Sequence, residues 1–166
     1  MSLTTIASRV RSTRSWLFAL LVFTAIAVFA WWPRYSLVVI SADLPAIDPF
    51  QLSCATWDCA PLPRSGPDPY VTVTPSAPGV RDFRTSTRRD TLAPQWNQVV
   101  IANQTADVLT RPIALHVVDQ DDETFNIDDT IARFALQLTR EQLRPGRIVL
   151  TTPVGARTAT LTLEVR

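Results

Sequence analysis

The clearest pattern in the chain is near its end. Ala159, Leu161, Leu163 and Val165 alternate with Thr160, Thr162 and Glu164. A period of two puts the apolar set on one face and the polar set on the other, as in a half-buried antiparallel strand. Shorter β-branched and aromatic runs recur upstream, separated by clusters of Pro, Asp and Asn. The pattern predicts eight strands: Ser36–Ala42, Tyr70–Thr74, Arg84–Arg88, Gln98–Ala102, Ile113–Val118, Thr130–Leu138, Arg147–Thr151 and Thr158–Val165. Only Thr139–Leu143 reads as briefly helical. Many short strands with turn signals between them predict an all-β domain, a sandwich or a barrel. About 130 residues suffice for one such core. Asp43 to Pro67 breaks the rhythm, with five prolines and both cysteines. A structureless stretch of that length inside a compact domain is usually functional or disordered.

The N-terminal pattern is different in kind. Trp16 to Trp32 holds 17 residues without a charge, with Trp16 at one end and Trp31-Trp32 at the other. That length is the short end of the range for a bilayer span, about 25 Å of helix, and Trp at both ends matches an interfacial belt. Arg9, Arg11 and Arg14 precede the run and Arg34 follows it. The positive-inside rule makes 1–15 a basic cytoplasmic tail, 16–32 a transmembrane α-helix acting as an uncleaved signal anchor, and 33–35 a linker. Everything after it lies outside the cytoplasm, in a periplasm or at the cell exterior. A cleaved signal peptide ending near Val28-Phe29-Ala30 is the rival reading. A buried core helix is a distant third. The first two both export residues 36–166.

Composition narrows the function. The chain has 16 basic and 15 acidic residues, net +1; all the basic ones are Arg, and the acids are 12 Asp and 3 Glu. Near-neutral charge argues against a nucleic-acid partner. Thirteen prolines exclude a long helical bundle, and one His with two Cys excludes a rich nitrogen–sulfur metal cluster. The balance conceals a split. Residues 1–35 carry four Arg and no acid, so the remainder has 12 basic and 15 acidic residues, net −3.

Six of those acids crowd one loop: Asp119, Asp121, Asp122, Glu123, Asp128 and Asp129. Asp119 and Asp121 follow the apolar strand Ala114–Val118, and alternate positions on a strand point the same way, about 7 Å apart. Asp129 returns at the start of the next strand. Asp48-Pro49 and Asp68-Pro69 bound the long loop. Clustered carboxylates repel unless a hard cation neutralises them, and calcium takes six to eight oxygens from such loops. The competing reading is a solvated acidic loop, with Asp before Pro merely starting turns. Cys54 and Cys59 are expected to form a disulfide outside the cytoplasm, stapling a subloop that presents Trp57. His116 sits mid-strand and reads as structural.

At this level the chain resembles the C2 domain, the calcium- and phospholipid-binding module of synaptotagmins and protein kinase C. Ser36-Leu-Val-Val-Ile-Ser-Ala-Asp-Leu-Pro-Ala-Ile-Asp48 resembles the family's opening strand and first calcium loop. Pro67-Asp68-Pro69-Tyr70-Val71-Thr72-Val73 resembles its Ser-Asp-Pro-Tyr-Val signature. Thr85 to Arg89 followed by Leu92-Ala-Pro94-Gln-Trp96-Asn97 resembles its threonine-rich strand and Leu-Asn-Pro-x-Trp-Asn turn. Val117-Val-Asp119-Gln-Asp121, then Asp128-Asp129-Thr-Ile131, resembles its third loop. The resemblance covers 36–166 and implies an eight-stranded antiparallel β-sandwich of Greek-key type with a long insertion at 49–67. It implies calcium as the cofactor, held by Asp48, Asp68, Asp119, Asp121 and Asp129, with Asp58 as an alternative because the first loop is longer than the family's. It implies Phe50, Trp57, Phe125 and Ile127 as lipid or partner contacts. Ala132 and Ala93 stand where the family has Gly and Asn. The family's polybasic strand survives only as Arg81, Arg84, Arg88 and Arg89.

The expected function is a non-enzymatic, membrane-anchored C2 domain. Calcium turns its repelling acidic tip into one that engages phospholipid headgroups or a protein partner. The alternative is a calcium-independent interaction module of the same fold. A two-carboxylate hydrolase using Asp58 and Asp121 has only carboxylate abundance behind it. The short linker adds an expectation. With the domain upright on its tether, the calcium loops face away from the anchoring bilayer.

Overall fold

The structure, a computed structural model, describes residues 16, 18, 20–24, 32–46, 66–120 and 128–166. The chain divides into two compact units, 1–33 and 34–166. In the first, Trp16, Phe18 and Leu20–Thr24 are helical. The Thr24 hydroxyl bonds back to the Leu20 carbonyl at 2.8 Å, so the one hydroxyl among these positions is satisfied inside its own helix. The large apolar side chains there, Trp16, Phe18 and Leu20 to Phe23, are exposed. Among the described residues, no helix is long and apolar enough to cross a membrane. The remainder of 16–32, apart from Trp32, lies outside the described residues.

In the second unit all eight expected strands form. They are β1 (Tyr35–Asp43), β2 (Pro69–Pro75), β3 (Phe83–Arg84), β4 (Gln95–Gln104), β5 (Ile113–Asp119), β6 (Asp129–Leu136), β7 (Gly146–Val154) and β8 (Arg157–Val165). They make two four-stranded antiparallel sheets, β4-β1-β8-β7 and β3-β2-β5-β6. The alternation read in the sequence is the packing rule of this sandwich. Leu37, Val39, Leu161, Leu163 and Val165 point inward from one sheet. Val71, Val73, Leu115, Val117, Phe134 and Leu136 point inward from the other, and all are buried. Each such side chain contributes on the order of 2 kcal/mol of apolar burial.

Boundaries differ from the expectation for identifiable reasons. β1 begins at Tyr35, one residue earlier than expected. β3 is two residues rather than five, because a side chain replaces part of its ladder. The Val71 N–H donates to the Thr85 hydroxyl at 2.8 Å, while the Thr85 N–H donates to the Val71 carbonyl at 2.9 Å. β4 runs through Asn97 at φ 53°, a left-handed residue that Asn tolerates. A helical turn, Ala106–Leu109, was not expected; it buries Leu109 between β4 and β5. The expected helical turn after Thr139 is the 3-10 turn Arg140–Leu143. A capping box closes it: the Gln142 side chain accepts from the Thr139 N–H at 2.9 Å, and the Thr139 hydroxyl accepts from the Gln142 N–H.

Candidate functional site

Three of the proposed ligands lie within the described residues, and the sheet gathers them at one end. Pro69 pairs with Asp119, and Asp119 pairs with Asp129. Asp68, immediately before Pro69, therefore joins Asp119 and Asp129 in a row across the tops of β2, β5 and β6. The backbone closes this row. The Asp68 N–H donates to Asp119 Oδ1 at 2.6 Å, and the Gln120 N–H donates to the Asp68 carbonyl at 3.1 Å.

The three carboxylates are not equivalent. Asp119 is 1% exposed and is the only buried acid among the described residues. Asp68 is half-buried and Asp129 is exposed. A carboxylate in so dry a place is costly unless it is hydrogen-bonded or paired, and the Asp68 amide supplies one such bond. Asp68 also serves a neighbouring loop. Its Oδ1 accepts the Asp90 N–H at 2.6 Å, and Asp90 Oδ1 in turn accepts the Gly66 N–H. Asp90 was missed in the sequence; its φ of 52° and its role as a brace arise from loop geometry that no pattern displays.

A second network, also unforeseen, ties the third loop to the outer face of its sheet. The Tyr70 hydroxyl donates to Asp128 Oδ2 at 2.7 Å. The Arg84 guanidinium lies 3.5 Å from the centre of the Tyr70 ring and donates to Gln120 Oε1 at 2.7 Å. The Thr87 hydroxyl donates to the same oxygen. Residues on β2 and β3 and just beyond thus grip both Gln120 and Asp128, which border the loop. Burial first, and then the bond to Asp128, push the Tyr70 phenol above its ordinary range. His116 is half-buried on this outer face, opposite Thr72 and Arg133. A groove of about 280 Å³ between β6 and β7 is lined by Thr130 to Arg133 and Thr152 to Val154, with no acid in its wall.

The donor set at the aspartate end is all hard oxygen, the chemistry of calcium rather than of zinc or iron. Among the described residues, however, no three acids, His or Cys are arranged to hold a metal by themselves. The other expected ligands, Asp48, Asp58 and Asp121, lie outside the described residues. So do Phe50, Trp57, Phe125 and Ile127, and the Cys54–Cys59 pair.

The C2 domain family model matches residues 39–151, well over half of the chain. The chain belongs to the C2 domain family. Among solved structures, this C2 domain is similar to the first C2 domain, domain A, of a plant extended synaptotagmin 1. The identity is 16%, over 81% of this chain and 92% of that one, with a TM-score of 0.58. It is similar to the calcium-bound pair of C2 domains, A and B, of extended synaptotagmin 2: 18% identity, 81% and 45% of the two chains, TM-score 0.55. It is also similar to human GIVD cytosolic phospholipase A2: 21% identity over 80% of this chain but 16% of that enzyme, TM-score 0.52. At these identities the likeness carries the fold. No curated protein matches the chain at a significant level.

Proposed function

We propose that this chain is a membrane-anchored, non-enzymatic C2 domain that binds calcium at its aspartate end and then engages phospholipid headgroups or a protein partner. The observation that carries this reading is Asp119, a carboxylate 1% exposed at a strand end, with Asp129 directly opposite and Asp68 adjoining. Asp68, Asp119 and Asp129 would hold the ion, with Asp48 or Asp58 and Asp121 completing the shell. When bound, calcium supplies positive charge and open coordination positions for a headgroup phosphate. The chain's own contribution is to hold its carboxylates in register before the ion arrives. The strand pairing fixes Asp119 against Asp129, and the Asp68 amide fixes the rotamer of Asp119. Anchorage through 16–32, with the domain outside the cytoplasm, rests on the uncharged Trp-bounded run and on the exposed apolar side chains of its helical positions.

Titration calorimetry of the full chain with calcium tests the reading: saturable heat, abolished by Asp119→Asn, is expected. Absence of heat and of any melting shift in millimolar calcium would sink it. A second reading has its own observation. Asp68 and Asp119 both accept backbone amides, as structural aspartates do. In that reading the acids shape the loops of a calcium-independent interaction module, and Asp119→Asn weakens the fold with calcium absent.

A further inference from the structure

We infer that the end of the domain opposite the aspartates is a docking surface for anionic phospholipid headgroups. This deepens the membrane reading above and is independent of calcium. The register defines that end: Tyr35 pairs with Gln104, Gly146 and Leu37 with Val165, and Ile113 with Leu136. It comprises the β4–β5 and β6–β7 connections, the start of β7 and both ends of the domain. The Ser36 N–H is bonded to the Arg166 carbonyl at 2.8 Å. Arg34, Arg111, Arg140, Arg144, Arg147 and Arg166 lie here, all exposed, against Asp107, Glu141 and Glu164. Arg81 and Asp82 in the β2–β3 connection cancel. The base is thus net +3. At the other end the described Asp43, Asp68, Asp90, Asp119, Asp128 and Asp129 face Arg88, Arg89, Arg157 and the Arg84 guanidinium bonded to Gln120, net −2.

The ion pairs within the base do not remove its charge from solvent. Asp107 and Arg140 meet at 2.9 Å with both side chains more than 70% exposed. Glu164 meets Arg166 at 2.6 Å, with Arg166 half exposed. Exposed pairs of this kind are weak and exchange readily for another anion. Every cation is Arg, whose planar fork takes a phosphate in two parallel hydrogen bonds.

Two observations favour a lipid surface over a protein. Within the domain's described residues the large exposed apolar side chains are Val99 and Val149, on β4 and β7, and neither is aromatic. Protein interfaces are instead enriched in aromatic anchors. The chain also enters the base at Arg34, two residues past Trp32, about 7 Å of extended backbone from the run read as the anchor. Headgroups are then within about one Debye length of Arg34.

The test uses the full chain with Cys54→Ser and Cys59→Ser. One fluorophore is placed on the base by Gln137→Cys, or at the far end by Ala156→Cys, in proteoliposomes carrying a headgroup quencher and a calcium chelator. With roughly one third phosphatidylglycerol, the base probe is expected to be quenched several-fold more than the far probe. Phosphatidylcholine alone, high salt, or Gln at positions 111, 140, 144 and 147 removes the difference. Base quenching that ignores both lipid charge and the Arg→Gln set overturns the inference. Flotation separates the two readings. A chain that does not float with phosphatidylcholine vesicles refutes the anchor. The base is then read from flotation with phosphatidylglycerol vesicles, where the Arg→Gln set is expected to weaken binding by up to about a thousandfold. No change in that flotation overturns the inference as well.

Discussion

Asp119→Asn separates a carboxylate kept for a ligand from one kept for the fold. In the chain without calcium, opposing effects meet at this side chain. Asp129 sits directly across from it, and opposed positions on neighbouring strands bring side chains close. Two carboxylates about 6 Å apart, at an effective dielectric of about 20, repel by up to about 3 kcal/mol. Removing a charge from a site 1% exposed relieves desolvation besides. Against this, the Asp68 N–H exchanges a charged acceptor for a neutral one, a loss of about 1 kcal/mol. The new amide NH₂ also needs an acceptor in a dry place, at about 1–2 kcal/mol. The sum is within about 2 kcal/mol of zero, so melting without calcium moves by only a few degrees. Calcium at a hundred times its Kd adds about 2.7 kcal/mol to a protein that binds it only when folded. For a domain this size that is a rise of roughly 10 °C, and Asn at position 119 abolishes it. Scanning calorimetry of the full chain, in chelator and in millimolar calcium, reads both quantities. A loss of more than about 4 kcal/mol in chelator, with no calcium shift in the parent chain, would refute the reasoning and make Asp119 architectural.

Other positions test the supports around the site. Thr85→Val removes the hydroxyl that accepts the buried Val71 N–H. It should cost about 1–3 kcal/mol, with the Val71 amide exchanging faster than its β2 neighbours in hydrogen-exchange NMR; an unchanged Val71 amide would contradict the repair of β3 by a side chain. Tyr70 bears on alkaline stability. Its phenol is raised above 10.0 by burial and by Asp128, so the unfolded chain releases that proton first. The stabilisation is complete below pH 10 and is lost as pH rises through the folded value. Tyr70→Phe should flatten the decline above pH 10 in denaturant titrations, and a decline as steep as before would assign it to another group. Asn97→Val places a β-branched residue at φ 53° and should cost about 1–2 kcal/mol in chemical unfolding; an unchanged midpoint would mean that β4 straightens there.

Eight strands were legible because a sandwich imposes a period of two that β-branched residues satisfy. β8 shows why this works best in the interior. Four of its positions are completely buried, so apolar residues are required there and the alternation is unbroken. Where the rule failed, a side chain had taken over a backbone function. β3 read as Arg84–Arg88, yet the ladder hands over at Thr85 to a hydroxyl. A Thr that packs and a Thr that replaces a carbonyl look the same in sequence. The turn Ala106–Leu109 has only four residues, too few to show a helical period, and its single buried residue, Leu109, is compatible with a loop.

The site was legible in a different sense. The order of the aspartates came from motif likeness, but their unequal burial did not. Asp119 and Asp129 differ in exposure although they are paired, because β5 is flanked by β2 and β6 while β6 is the edge strand of its sheet. That difference decides which substitution is informative, Asp119 rather than Asp129. The grip of Tyr70, Arg84 and Thr87 on Gln120 and Asp128 joins residues 33 to 58 positions apart, a separation at which no local pattern operates. Charge was the most misleading summary of all. The net of +1 divides first into a basic N-terminal segment and an acidic domain. The domain then divides into an arginine end and an aspartate end, because antiparallel strands send alternate connections to opposite poles. Sequence records how many charges there are; topology decides that connections far apart in the chain share a pole. The acidic pole was found by motif, since its residues are clustered in sequence. The basic pole, drawn from both termini and two separate connections, existed only once the strands were paired.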